Sequence, residues 1–437
     1  MSNESQLDAI VIGAGIIGAA ITLELTRKGY RTLSVDKLPA AGYGSTSNSC
    51  AIVRTHYSTL DGTALAWESY HHWMNWGDYL GFRDERGLAR LIQTGMVVVR
   101  SEAAMYRQHL LFHDELGIEY LEWDGPTLRA KVPFYDVTAY YPPRRPEDAS
   151  FGTPSGKEHP GAIFLPHAGY VNDPQLATHN LLRAAEAAGA RFEFNAEVSE
   201  IRRHGGRVRG VRLKDGRTLD AQVVVNAAGP HSAVVNRLAG VDSEMRVGTR
   251  PLRKEVHYVP FPARGRGEPY GRLASDQDVG VYCREEAGGL LLVGSVDPKC
   301  DSLQWVADPD DFNREVTEAQ WKAQVYRMAL RIPDLEIPNR TKGIVDLYDA
   351  TEDWIPIYDR SGLDGFYMAV GTSGNQFKNA PMVGRLMAEL IAACELGHNH
   401  DLEPVSVRGP FTGRDLNLGF YSRNREIHKD SSFSVLG

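Results

Sequence analysis

Residues 9–36, AIVIGAGIIGAAITLELTRKGYRTLSVD, run an apolar strand into GAGIIG, then an amphipathic helix, then a second strand closing on Asp36. Few folds accept that order. Gly13 makes the tight turn, Gly15 lets backbone approach a pyrophosphate, and Gly18 allows the helix to pack on the strand. Ile16 and Ile17 open the helix, whose N-terminal amides attract phosphate. Asp36 stands about 20 residues beyond the glycines, where a carboxylate accepts both hydroxyls of an adenosine ribose and repels a 2′-phosphate. FAD or NAD is therefore favoured over NADP, and the competing reading is a glycine-rich strand–helix turn.

The chain has 437 residues, enough for two or three domain-sized units, with 42% hydrophobic and 24% charged residues. A net charge of −8 without a long basic run argues against nucleic acid as a partner. Cys50, Cys283, Cys300 and Cys394 are scattered and show no metal-ligand spacing, so a reducing compartment and no structural metal are expected. The opening MSNESQL is too short and polar for a signal peptide, and no apolar run reaches membrane-spanning length. These features predict a soluble cytoplasmic protein.

A loop rich in Gly, Ser and Asn, Gly42 to Ser49, follows the first unit, and Trp67, Tyr70, Trp73 and Trp76 then recur at helical spacing, as core residues do. Residues 175–227 restart the α/β pattern with a helix (QLATHNLLRAAEAAGA), a strand (RFEFNAEV), a hairpin turning near Gly205-Gly206, and VVVNAAG. Between 245 and 300, EVHYVPF, VGVYCREE and GLLLVGSV alternate with period two, predicting a mostly antiparallel sheet. Residues 365–394 return to strand, glycine-rich turn and helix. The fold class predicted is α/β, α+β overall. A Rossmann-like nucleotide domain is built from 1–85, 160–245 and 340–400. A substrate domain from 86–159 and 246–339 is interleaved with it, and 401–437 form a covering or interface tail, or a partly disordered one.

GAGIIG, VVVNAAGPHS and GTSGNQFKNAPMVG together resemble the flavin-dependent family of sarcosine oxidase, glycine oxidase, D-amino-acid oxidase and dimethylglycine dehydrogenase, over roughly residues 8–396. The resemblance implies FAD as cofactor. It assigns Lys37 beside Asp36, the loop residues Gly44, Ser45, Thr46, Asn48 and Ser49, Val198 near the adenine, and Ala227, Ala228 and Gly229 near the phosphates. Toward the flavin it assigns Gly371, Ser373, Gly374, Asn375, Gln376, Phe377 and Lys378. Independently of the family, Gly371 and Gly374 allow backbone amides to crowd a flat ring. Asn379 and Pro381 read as the start of a helix from about Ala380 to Ala393. The positive end of that helix would stabilise charge on a reduced flavin. The family's covalent attachment points are missing: Asp346 replaces a cysteine, and the loop STSNSC lacks a histidine. Non-covalent FAD is expected.

The resemblance also implies that Arg54 holds a substrate carboxylate with help from Lys378, a task suited to a guanidinium in a dry pocket. The competing reading is an ordinary ion pair or solvated lysine. His56, Tyr57, His257, Tyr258 and Tyr348 are candidates to position an amine or relay a proton. Arg253 is either a second cationic contact or an exposed strand residue. The activity implied is hydride removal from the carbon beside an amine nitrogen of an amino acid or N-alkyl amino acid. The imine product is hydrolysed, and electrons leave to O2 or another acceptor. The alternatives are oxidation of a 2-hydroxy acid, which needs a base such as His56 or His257, and a flavin-carrying subunit of a larger complex. An oligomer is compatible with either reading.

Overall fold

The computed structural model describes residues 7–101 and 106–436; the opening residues read against a signal peptide lie almost wholly outside that range. Strand β1 (Ala9–Ile12), helix α1 (Ile16–Arg27) and strand β2 (Thr32–Val35) form the expected unit, and both strands are fully buried. Six strands make the nucleotide sheet in the order Ile357–Arg360, Phe366–Val370, Val223–Asn226, β1, β2, Arg191–Glu193. All neighbours are parallel except the Ile357–Arg360 edge. Burial on both faces explains why these strands read as unbroken apolar runs.

Helices cover this sheet where the sequence signals them. Asp173 caps Pro174–Ala187 by accepting from the Leu176 amide, and Thr59 caps Leu60–Met74 by accepting from Gly62. Trp73 and Trp76 stack at 4.3 Å in the core. The helix Ala380–Glu395 packs on α1 so closely that a methyl at Gly384 would lie 2.6 Å from the Ala20 carbonyl oxygen. This contact fixes the short turn before it, Phe377–Asn379.

The second domain is a nine-stranded sheet, antiparallel but for one pair, Leu273–Asp276 with Met96–Val99. Its backbone is Thr249–Pro260, which pairs with both Leu290–Ser295 and Gly343–Thr351. Two segments lie differently from the boundaries drawn above. Gly343–Thr351 and Ala162–Leu165 belong to this sheet, not to the nucleotide domain. Both lie beside a domain crossing, and composition alone does not choose their sheet. The last segment is folded: Arg423 pairs with Asp359 and Asp401, Arg425 with Asp353, and the chain continues across the junction of the domains to Leu436.

Candidate active site

A cavity of about 510 Å³ runs from the end of β1 to the large sheet. At one end backbone dominates. Gly13 has φ +108°, and a methyl there would stand 2.4 Å from the Ala227 carbonyl oxygen; at Gly18 it would stand 1.8 Å from that of Gly13. Gly15 caps α1 without a side chain, and Thr46 Oγ1 accepts from the Ile16 amide at 3.2 Å. The Asp36 carboxylate accepts from the amides of Ala14 (2.7 Å) and Leu38 (2.8 Å). Burial raises its pKa against those bonds. Its remaining lone pairs can serve a ribose.

Gly13, Gly15, Ile16, Ile17, Asp36, Lys37, Gly44, Ser45, Thr46, Asn48, Ser49, Val198, Ala227, Ala228 and Gly229 all line this end. Gly18 is behind it, packing helix on strand. The glycine cradle and the carboxylate suit a dinucleotide, and FAD fits the donor set. Sequence reasoning missed a contribution from the second domain: Asp310 meets Lys37 Nζ at 2.5 Å and His231 Nε2 at 3.0 Å over the cavity mouth, beside Phe312 and Arg314. Its only signal was a run of acidic residues in a loop.

At the other end side chains dominate. Arg54 and Lys378 line the cavity and are 6% and 3% exposed. The Arg54 guanidinium lies 4.6 Å from the centre of the Tyr57 ring. Lys378 Nζ donates to Tyr57 Oη at 2.9 Å and to the Asn375 carbonyl at 2.6 Å. Arg54 donates to the carbonyls of His56 and Val435. Neither cation has a carboxylate partner among the described residues. Burial, then the nearby Arg54, push the Lys378 amine well below its usual range. Two desolvated cations without an anion form a site for one.

Tyr348 lines the same chamber, its ring lying across Gly374, where a methyl would be 2.3 Å from ring carbons. Tyr282, which sequence reasoning missed, lies across Gly294 in the same way, its hydroxyl 3.2 Å from Cys50 Sγ. Asp349 accepts from Ser232 Oγ (2.7 Å) and the Gly371 amide (2.6 Å); burial pushes its carboxyl up to about 7. Gly371 and Ser373 do not line the cavity. They latch the Gly343–Thr351 strand, with the Ser373 amide donating to the Asp349 carbonyl at 2.7 Å. Gly374, Asn375, Gln376 and Phe377 do line it. Asp346 holds Asn48 at 2.7 Å.

Three residues expected in catalysis stand elsewhere. His56 is buried behind Arg54 against His109, 3.0 Å away, and burial, with the neighbouring His109, His113 and Arg54, holds it well below the usual range. His257 lies on the opposite face of its strand from Lys254 and Val256, packed on Trp321. Tyr258 shares the cavity-side face but falls past the chamber, and burial raises its hydroxyl to about 12. Strand period two decides both positions. Arg253 is neither exposed nor free, being buried and paired with Glu255 at 2.6 Å. One acid–histidine group, Asp84, Glu85 and His179, lies away from the cavity, where Asp84 already binds His179 and Asn180. No helix among the described residues is long and apolar enough to cross a membrane.

The family described as FAD dependent oxidoreductase matches residues 8–390. Glycine oxidase of Geobacillus kaustophilus is 25% identical over 410 residues, spanning 92% of this chain and 96% of that protein. The FAD-dependent oxidoreductase domain-containing protein 1 of Bos taurus is 24% identical, spanning 88% of this chain and 81% of that protein. Among solved structures, L-proline dehydrogenase from P. horikoshii superposes with a TM-score of 0.73 at 22% identity, covering 89% of this chain and 94% of the other.

Proposed function

We propose, from the premise that this chain belongs to the family of FAD-dependent oxidoreductases, that it oxidises the C–N bond of an amino acid or N-alkyl amino acid whose carboxylate is held by Arg54 and Lys378. The observation that carries this reading is the pair of buried, cavity-lining cations with no carboxylate of their own. FAD is the cofactor, held without a covalent bond, since Asp346 stands at one attachment point and no histidine lies in Gly44–Ser49. Gly13, Gly15 and Asp36 would hold its adenosine diphosphate half, and the loop Gly44–Ser49 with Gly374–Phe377 would border the flavin. When bound, the flavin accepts the hydride that leaves the substrate carbon.

The chain's own residues bind and orient. A carboxylate entering between Arg54 and Lys378 gains charge-assisted hydrogen bonds in a medium of low dielectric, which fixes the neighbouring carbon and nitrogen. Tyr348 and Tyr282 present hydroxyl-bearing rings to the chamber, and burial raises both, so they stay protonated and can donate or accept without ionising. The dry wall favours the neutral amine, whose lone pair assists departure of the hydride. A 2-hydroxy acid would need a base at its hydroxyl, and neither His56 nor His257 faces the chamber. Anaerobic mixing with amino acids, N-methyl amino acids and 2-hydroxy acids tests the proposal: amines should bleach the flavin and hydroxy acids should not. A yellow protein bleached by no amine would overturn it and favour the flavin-carrying subunit.

A further inference from the structure

Beside Arg54 the chamber changes character. Val256 and Val296 form one apolar cluster with Tyr282, Ile52 and Ile344, and all five line the cavity. The cluster is continuous with the arginine. Val435 and Tyr348 both pack on Leu252, Ala350 and Trp354, the Val435 carbonyl accepts from Arg54 Nη2 at 2.5 Å, and Tyr348 in turn neighbours Tyr282. The next residue, Leu436, is 7% exposed and lines the cavity, yet it packs into none of the apolar clusters. The segment that carries it is tied down by Ser58, whose amide donates to the Leu436 carbonyl and whose hydroxyl accepts from Ser432.

The charges of this wall are already matched. Lys254 is paired with Asp297, and Arg284 with Glu286. A second substrate carboxylate would find no free cation here and would lose its hydration. A substrate with no substituent would leave the apolar faces uncovered.

We propose that the substrate carries an apolar substituent of three or more carbons, on its α-carbon or its nitrogen, received by this wall, and that Leu436 determines specificity for it. The proposal rests on the amine-oxidising reading above. Two series separate the two attachments: glycine to norleucine through alanine, 2-aminobutyrate and norvaline, in both enantiomers, and N-methyl to N-butylglycine. Aspartate and glutamate are added as polar counterparts. The measurement is the second-order rate constant for anaerobic flavin bleaching. It should rise roughly fourfold per methylene in one series, as burial of each CH2 predicts, and glutamate should react far more slowly than norvaline.

Leu436→Ala should lower the constant for the longest reactive member by about tenfold, and Leu436→Asp should flatten the series. Flavin content, read from the absorbance of the purified variants, checks that the fold persists. Fastest reaction with glycine, sarcosine or glutamate would overturn the proposal while leaving amine oxidation intact, as would a slope untouched by both Leu436 variants. Bleaching by no amine at all would overturn the parent reading and this one with it.

Discussion

The two ends of the cavity recognise by opposite means. At the nucleotide end, recognition is carried by backbone: two glycines with no room for a methyl, the start of α1 at Gly15, and one carboxylate held by two amides. The chamber is carried by side chains gathered from far apart, with Arg54 from one segment, Lys378 from the turn before Ala380 and backed by the buried Tyr57, Tyr282 and Tyr348 from the large sheet, and Leu436 from the closing segment. A backbone site tolerates almost any side chain around it but no change in its own path. A side-chain site tolerates backbone drift and is remade by one substitution. The first design suits a ligand that never varies, the second a substrate that does.

Removing the chamber's guanidinium should give the largest effect. Arg54→Ala is expected to lower kcat/KM for the best amine by about 30- to 5,000-fold, the equivalent of roughly 2–5 kcal/mol for truncating one partner of a buried charged contact. The flavin should remain bound. Stopped-flow bleaching and flavin content measure the two quantities separately. If flavin is lost along with substrate binding, the two ends are not independent and the contrast fails.

The reciprocal change is Gly13→Ala. The methyl would sit 2.4 Å from the Ala227 carbonyl oxygen at a backbone angle of +108° that side chains avoid. Displacing that backbone should cost about 1–3 kcal/mol and weaken FAD binding by roughly five- to 150-fold. Titration of apoprotein with FAD, followed by flavin fluorescence, measures it. Retained affinity with slower bleaching would be the wrong pattern.

This difference also explains what the sequence displayed. Glycine spacing and a strand-ending acid are local signals, so β1, α1, β2, Asp36 and the parallel strands of the nucleotide sheet were legible, while its antiparallel edge Ile357–Arg360 was not. Lys378 was legible through the motif around it. Arg54 and Tyr348 were named through the family resemblance; Tyr282 was not, because its side-chain direction depends on strand register between partners distant in the chain. His257 and Val256 are adjacent in sequence, and only the pairing of Val256 with Gly294 and Ile344 shows which one faces the cavity. Tyr282 and Tyr348 each rest on a glycine from another strand or turn, a relation no linear pattern contains. The closing segment carried no periodicity to read, yet it supplies Val435 and Leu436.

A third test uses pH. Burial and Arg54 hold the free Lys378 amine well below its ordinary value, and a bound carboxylate would favour its charged form. Binding an anion then takes up a proton wherever the pH exceeds the free amine's pKa. Affinity for an unreactive carboxylate should fall as pH rises, by up to about tenfold per pH unit between the free and bound values. Flavin spectral shifts at several pH values give the dissociation constants. Lys378→Met should remove the slope, and flavin content checks that the turn whose Asn375 carbonyl the amine holds still binds FAD.

The smallest effect should come from an exposed side chain of the second domain that reaches the nucleotide end. Asp310 bridges Lys37 and His231, but its side chain is 60% exposed. Exposed pairs contribute about 0–1 kcal/mol and are screened by salt. Asp310→Ala should therefore speed FAD release by at most about fivefold in dilute buffer and hardly at all in molar salt. Dilution of the holoprotein, with recovery of flavin fluorescence over time, reads the rate. An acceleration well beyond that, persisting in salt, would mean that the loop holds the crevice shut by more than its charge, through Phe312 and Arg314 beside it. The nucleotide end would then depend on distant side chains as the chamber does, and the distinction between a fixed cradle and a variable chamber would survive only for the glycines.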